Sequence, residues 1–283
     1  MFPAFLAMIG VGLLLLAAFI AIEYILPIRE RYTLRQRIPG VLMGIATVPV
    51  AMALMWPVQL MWKDLGLGPW IIVPLWDWLK PWGLAGAIAF YFVIGVMSDF
   101  FAYWRHRAEH TKWLWPIHVV HHAPTELHAA NNIGHPAQAL FNLPFITLPF
   151  SLIQFPNPGS PAIVGLIFAG LVLYVHSPID LHFGRLNRVV VDNRFHRIHH
   201  SLEPEHIGKN FGICFSCWDY LFGTAYTPKK DDWPAVGVAG ISAPYSVGDF
   251  LALPLREYRK IIRRRPPRGE GLAPFKLLRS VDR

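Results

Sequence analysis

Eight histidines stand at spacings that suit metal binding, and a ninth joins them from the end of an apolar segment. His106 and His110, in "HRAEH", are four residues apart, while His118, His121 and His122, in "HVVHH", lie at i, i+3 and i+4. His196, His199 and His200, in "HRIHH", repeat that second interval, and His176 closes an apolar segment. On a helix, residues three or four apart share a face with Cβ atoms about 5–6 Å apart, so each cluster can present imidazoles to one ion or to two neighbouring ions. A lone H-x-x-x-H means little, because a surface helix can carry two histidines without consequence. Three clusters with the same helical spacing are a far stronger signal. Nine imidazoles exceed what one ion can hold and match two ions of four or five ligands each. Neutral imidazole serves iron, zinc, copper and nickel alike, so ligand type does not name the metal. The H-E-x-x-H of catalytic zinc proteases is absent.

An almost all-imidazole shell leaves a dimetal site strongly cationic, which calls for carboxylates behind the ligands. Asp99, seven residues before His106 on the same helical face, is the expected partner of this kind. Asp180, Asp192, Asp219 and Glu109 serve equally well as helix caps or surface charges. His128, His182 and His206 fall outside the spaced clusters and read as hydrogen-bonded structural residues. His135, in "GHP", starts an apolar segment on the correct side, but nothing local fixes it as a ligand. The C-x-x-C of Cys214 and Cys217 has no βαβ pattern around it and reads as packing on a helix face. Tyr103, Trp104, Trp113, Trp115 and Trp218 suit an interfacial aromatic belt better than a substrate passage.

The elements that must position these residues belong to a membrane protein. The 283 residues are 54% hydrophobic and only 16% charged, with the charges clustered, so long stretches have nothing with which to face water. Five apolar segments run roughly over 5–26, 40–62, 84–104, 137–155 and 162–176. The first three suffice to cross about 30 Å of hydrocarbon, and the shorter fourth and fifth, joined by "PNPGSP", suggest a tilted or re-entrant hairpin. The first segment lacks a basic region before it and is expected to be retained as an anchor. The loop "RERYTLRQR" marks the cytoplasmic side, which puts the N-terminus outside and all three histidine clusters on the cytoplasmic face. Ligands of a transporter would sit nearer the bilayer midplane. Ten of the 26 Lys and Arg fall in 256–283, a basic tail that reads as attraction to anionic headgroups rather than to nucleic acid. The chain thus divides into N-terminal membrane helices (1–83), a histidine-box domain (84–226) and a loosely ordered Pro/Arg-rich tail (227–283).

In order along the chain stand Asp99 and Tyr103, "HRAEH", "LWPIHVVHH", His176, "NRFHRIHHS" and "NFGICFSCWDYLFGT". This ordered set resembles the fatty acid hydroxylase and sterol desaturase superfamily, and it covers 99–226, nearly half the chain. The resemblance implies an all-α membrane bundle under a cytosolic His-rich cap that holds a dimetal site, two irons with zinc as a substitute, and activation of O2. It also implies a lipid substrate taken from the bilayer of a bacterial inner membrane or the endoplasmic reticulum. Electrons would come from a separate cytochrome b5- or ferredoxin-type protein with its reductase. Two departures bear on subfamily: Gly134 stands where many relatives carry Arg, and Val172 where some carry a second His. A membrane metal transporter or storage protein, and a membrane zinc hydrolase, are the rival readings. The first predicts exchangeable metal without O2 uptake, and the second activity without oxygen or reductant.

Overall fold

The computed structural model describes residues 2–66, 68–156, 162–229 and 231–263. Helix α1 (Phe2–Ile25) leads into α2 (Leu34–Asp64), and a short strand β1 (Ile71–Ile72) precedes α3 (Leu75–Leu79) and the long α4 (Gly83–Glu109). The short α5 (Trp115–His122) follows, then an irregular stretch that ends in α6 (Leu148–Leu152) and β2 (Ile153–Gln154). After α7 (Ala162–Val175) come α8 (Asn193–His199), α9 (Cys217–Leu221) and α10 (Val247–Arg263). Two stretches, Leu34–Leu54 and Leu75–Glu109, are long and apolar enough to cross a membrane; Ile9–Ile25 and Val164–Val175 are shorter apolar helices. Their outward side chains include Leu14, Leu42, Ile88 and Ile167, all exposed, which is the pattern of helices that meet lipid rather than water.

The fourth apolar segment is not one helix. It runs as a 3-10 turn (Pro136–Phe141), a single π turn (Leu143–Thr147) and then α6, with Pro136, Pro144 and Pro149 removing one backbone donor each. Its far end, β2, pairs in parallel with β1 beyond the end of α2, Ile71 opposite Ile153 and Ile72 opposite Gln154. The "PNPGSP" joint continues into 157–161, outside the described residues.

Between α1 and α2 lies a buried ion pair, Glu23 with Arg37, and the second oxygen of Glu23 accepts from the amide of Ala129 at 3.0 Å. Gly40 lets α2 approach the turn at Ala129–Asn131, since a Cβ there would meet the Ala130 carbonyl oxygen at 2.2 Å. The expected loose extension after Thr227 is instead folded over 231–263. Trp233 donates to Glu30, Ser201 bridges to Val236, and α10 buries Phe250 and Leu253 against Val119 and Val120 of α5 and Met43 of α2. The apolar face of this amphipathic helix, opposite its charged one, is what binds α10. Residues 264–283 lie outside the described residues.

Candidate metal centre

The three histidine clusters sit on α4, α5 and α8. Pro116 in the first turn of α5 costs no helical hydrogen bond, and α8 is capped by Asp192, whose carboxylate accepts from the Phe195 amide at 2.9 Å. The structure gathers the eight spaced histidines and His176 into two adjoining groups. His106, His110, His118, His122 and His199 form one, and His121, His176, His196 and His200 the other, with the nearest ring nitrogens of each group within 4.8 Å of one another. Helical phase divides them. α5 gives its i, i+4 pair, His118 and His122, to the first group and His121 to the second. α8 reverses this, giving His196 and His200 to the second and His199 to the first. The groups touch where His122 stacks on His200, with ring centroids 4.2 Å apart.

Backbone carbonyls set the tautomers. A carbonyl can only accept, so His106 and His199, with Nδ1 2.8 Å from the Phe211 and Lys209 oxygens, both carry the proton on Nδ1. Their Nε2 atoms are left as buried lone pairs with no partner. In the second group His121 donates Nδ1–H to Ile133 (3.1 Å) and His176 to Val172 (3.2 Å), and their Nε2 lone pairs face each other at 3.3 Å. Two acceptors so close need a cation between or beside them. Neighbouring Nε2 separations of 3.0–3.3 Å are those of ligands about 2.1 Å from a shared ion. Burial pushes the His121 imidazole down to about 4 and that of His199 to about 3. Both rings are therefore neutral near pH 7, the form that binds metal. The donor set fits two ions, and the nine histidines would hold them.

Of the carboxylates, Glu109 is the one placed behind a ligand. It is 1% exposed, lies 3.1 Å from Nδ1 of His118, and is held from the other side by Arg105 at 3.0 Å. Asp99, expected in that role, instead accepts from the amides of Cys214 (2.9 Å) and Phe215 (3.0 Å) and the indole of Trp218 (3.1 Å), and no described histidine bonds to it. It has turned toward the loop that follows the third cluster. Cys214 lies in that loop, and only Cys217 is helical, so the pair is not a helix-face feature. Asp219 accepts from the amides of Phe211 and Gly212 at 2.8 and 2.7 Å and so fixes the carbonyl that orients His106. Asp180 pairs with Arg29. Between Lys209 and Phe211, Asn210 adopts a left-handed φ of 59° and is fully buried. Its side chain bonds to the backbone of Phe195 and Tyr226, and the turn aims its two neighbours' carbonyls at His199 and His106. Asn tolerates that conformation better than most residues, and an Asn inside "NFG" is the signal from which this role could have been read.

The histidines left aside stay outside both groups. His128 is buried against the ring of Tyr32, His182 lies near Asp180, and His206 contacts Ser201. His135 accepts from the Ala137 amide on Nδ1 and lines a cavity of about 460 Å³. His106, His118, His121, His176 and His196 open onto the same cavity.

Residues 91–224, which carry all nine histidines, match the fatty acid hydroxylase family. This segment belongs to that family. Relatives that match just over half of this chain are lipid-modifying enzymes: an ornithine lipid hydroxylase of Rhizobium tropici is 30% identical over 58% of this chain and 49% of its own length. A very-long-chain aldehyde decarbonylase of Oryza sativa is 31% identical over 57% and 59%, and a methylsterol monooxygenase of Arabidopsis thaliana 32% over 53% and 55%. The chain thus spans about half the length of these relatives. No solved structure matches it. Within this fatty acid hydroxylase segment, Glu109→Ala is expected to lower metal affinity or turnover about 10–100-fold, as loss of a carboxylate behind a ligand histidine does elsewhere. Metal content of the purified variant checks it; full occupancy with parental turnover would remove Glu109 from the site.

Proposed function

We propose that the chain is an O2-dependent di-iron oxygenase that hydroxylates, or desaturates, a C–H bond of a membrane lipid. The observation that carries this reading is the pair of adjoining imidazole groups, each with lone pairs fixed by backbone carbonyls, opening on one cavity. Two irons bound there would supply the reductive activation of O2 and the removal of hydrogen. The chain's own part is positional. Phe211, Lys209, Ile133 and Val172 carbonyls hold ring orientation, and Glu109 offsets positive charge beside His118. No side chain acts as a nucleophile.

Oxygenation of a lipid is also what two of the relatives' names describe, the ornithine lipid hydroxylase and the methylsterol monooxygenase. We further propose a multi-pass membrane protein with the metal centre on the cytoplasmic side, supplied with electrons by a separate cytochrome b5- or ferredoxin-type protein and its reductase. A metal transporter would leave the fixed tautomers without purpose, and a zinc hydrolase needs only one ion with three or four ligands. The test combines three readouts: metal content of purified protein, oxygen uptake with a reductant, and mass spectrometry of whole-cell lipids from a deletion strain against its parent. The expected result is two ions per chain and a lipid that loses an oxygen atom or a double bond on deletion. Active protein with one ion or none, or activity without oxygen, would overturn the reading.

A further inference from the structure

One face of α4 lines two cavities in succession. Tyr91, Ile94, Gly95, Ser98 and Ala102 border an apolar cavity of about 390 Å³, and Arg105, His106 and Glu109 border the histidine cavity above it. These positions recur every three or four residues, which makes them a single stripe on one helix. α7 repeats the arrangement: Val164, Gly165 and Phe168 line the lower cavity, Val172 and Val175 the upper. Ile213 lines both cavities, at the point where they meet. The two cavities thus lie in series along α4 and α7 with Ile213 as a wall common to both, and together they make a stepped groove. From Tyr91 to Glu109 it extends about 27 Å at 1.5 Å per residue, close to the hydrocarbon thickness of a bilayer. Its polarity changes along its length. The lower arm is mostly apolar and edged by glycine, with Ser98 and the amide-bound Asp99 its polar lining, whereas Arg105, Asn132, His135, Gln138 and Asn142 surround the upper end.

We infer that this groove binds one acyl chain of an amphiphilic lipid, the chain in the lower arm between α4 and α7 and the polar head at the Arg105 end, with Ile213 setting how far the chain reaches. The inference rests on the lipid-oxygenase reading and names where that substrate lies. An acyl chain is the ligand whose length and polarity gradient both match. Gly165 supplies the test, because a Cβ there meets open space and a larger side chain fills the arm without disturbing the helix pair. Gly165→Phe and Ile213→Trp, made in the full chain and purified in nanodiscs, are compared with Ile167→Phe, whose position on α7 is 64% exposed and outside the groove.

The probe is a long-chain fluorescent fatty acid, with a medium-chain fatty acid as competitor, and metal content is measured on each preparation. Each methylene lost from an apolar site costs roughly fourfold in affinity, so displacing two should weaken the long-chain probe about 15-fold. The medium-chain competitor should be nearly unaffected by Gly165→Phe. Ile167→Phe should behave as the parent. Unchanged probe affinity in both groove variants, with parental metal content, would overturn the inference. Probe affinity that responds while the parent forms no oxidised lipid in any assay would instead sink the oxygenase reading and leave the groove standing.

Discussion

Turnover should vanish when either His121 or His199 is replaced by alanine, and bound metal should fall with it, while His182→Ala should match the parent in both. His199 presents an Nε2 fixed as a lone pair by the Lys209 carbonyl, and His121 one fixed by Ile133. Each change leaves an ion a ligand short and lets the helix that carried it shift against its neighbour. Because α5 and α8 each serve both groups, the damage is not confined to one ion. His182 belongs to neither group and is partly exposed beside Asp180. Product formation and metal content measured on the same membrane preparations decide the matter. Parental turnover in both box variants would leave the catalytic reading without support.

The second large effect is expected far from the histidines. Glu23 and Arg37 are 0% and 1% exposed and pair only with one another and their immediate surroundings. Removing one partner of a buried pair typically costs 3–5 kcal/mol, because the other charge stays in a medium that cannot solvate it. Glu23→Ala also strands the Ala129 amide. That variant should fail to accumulate in the membrane or should melt well below the parent in detergent. The double variant Glu23→Leu, Arg37→Met removes both charges and should recover most of the loss. Thermal unfolding of the three proteins reads this out; a single variant as stable as the parent would show that the charge is solvated after all.

The histidines were legible in the sequence because i, i+3, i+4 spacing is itself a statement of helical geometry, so ligand positions and helix phase come from one pattern. Their division into two groups was not, since it depends on how α5 and α8 face each other. The choice between Asp99 and Glu109 also escaped the pattern. Asp99 shares a helical face with His106, but the partner of a ligand is fixed by a neighbour 9 residues on in sequence, His118, across a turn. The i, i+4 ion pair of Arg105 with Glu109 is local to α4, whereas the contact of Glu109 with His118 depends on how α5 folds back. The irregular fourth segment follows from three prolines in 14 residues, 136–149, which apolarity alone does not weigh. α10 looked weakly periodic because its apolar contacts, Phe250 and Leu253, are interleaved with a Pro and several charges, and only the surface of α5 shows what they bury against.

The crossed contribution of α5 and α8, one helix giving two ligands to the first group and one to the second, the other the reverse, ties metal supply to the making of the protein. On the two-ion reading proposed above, whichever ion arrived first would fix both helices and so assemble most of the site for its companion, which would make loading cooperative. On the same reading, the energy an ion gains by bridging these facing lone pairs would count as folding energy. Cells starved of iron would then hold few half-loaded copies, and the scarcity would appear as a loss of the protein itself rather than as a population of slower enzymes.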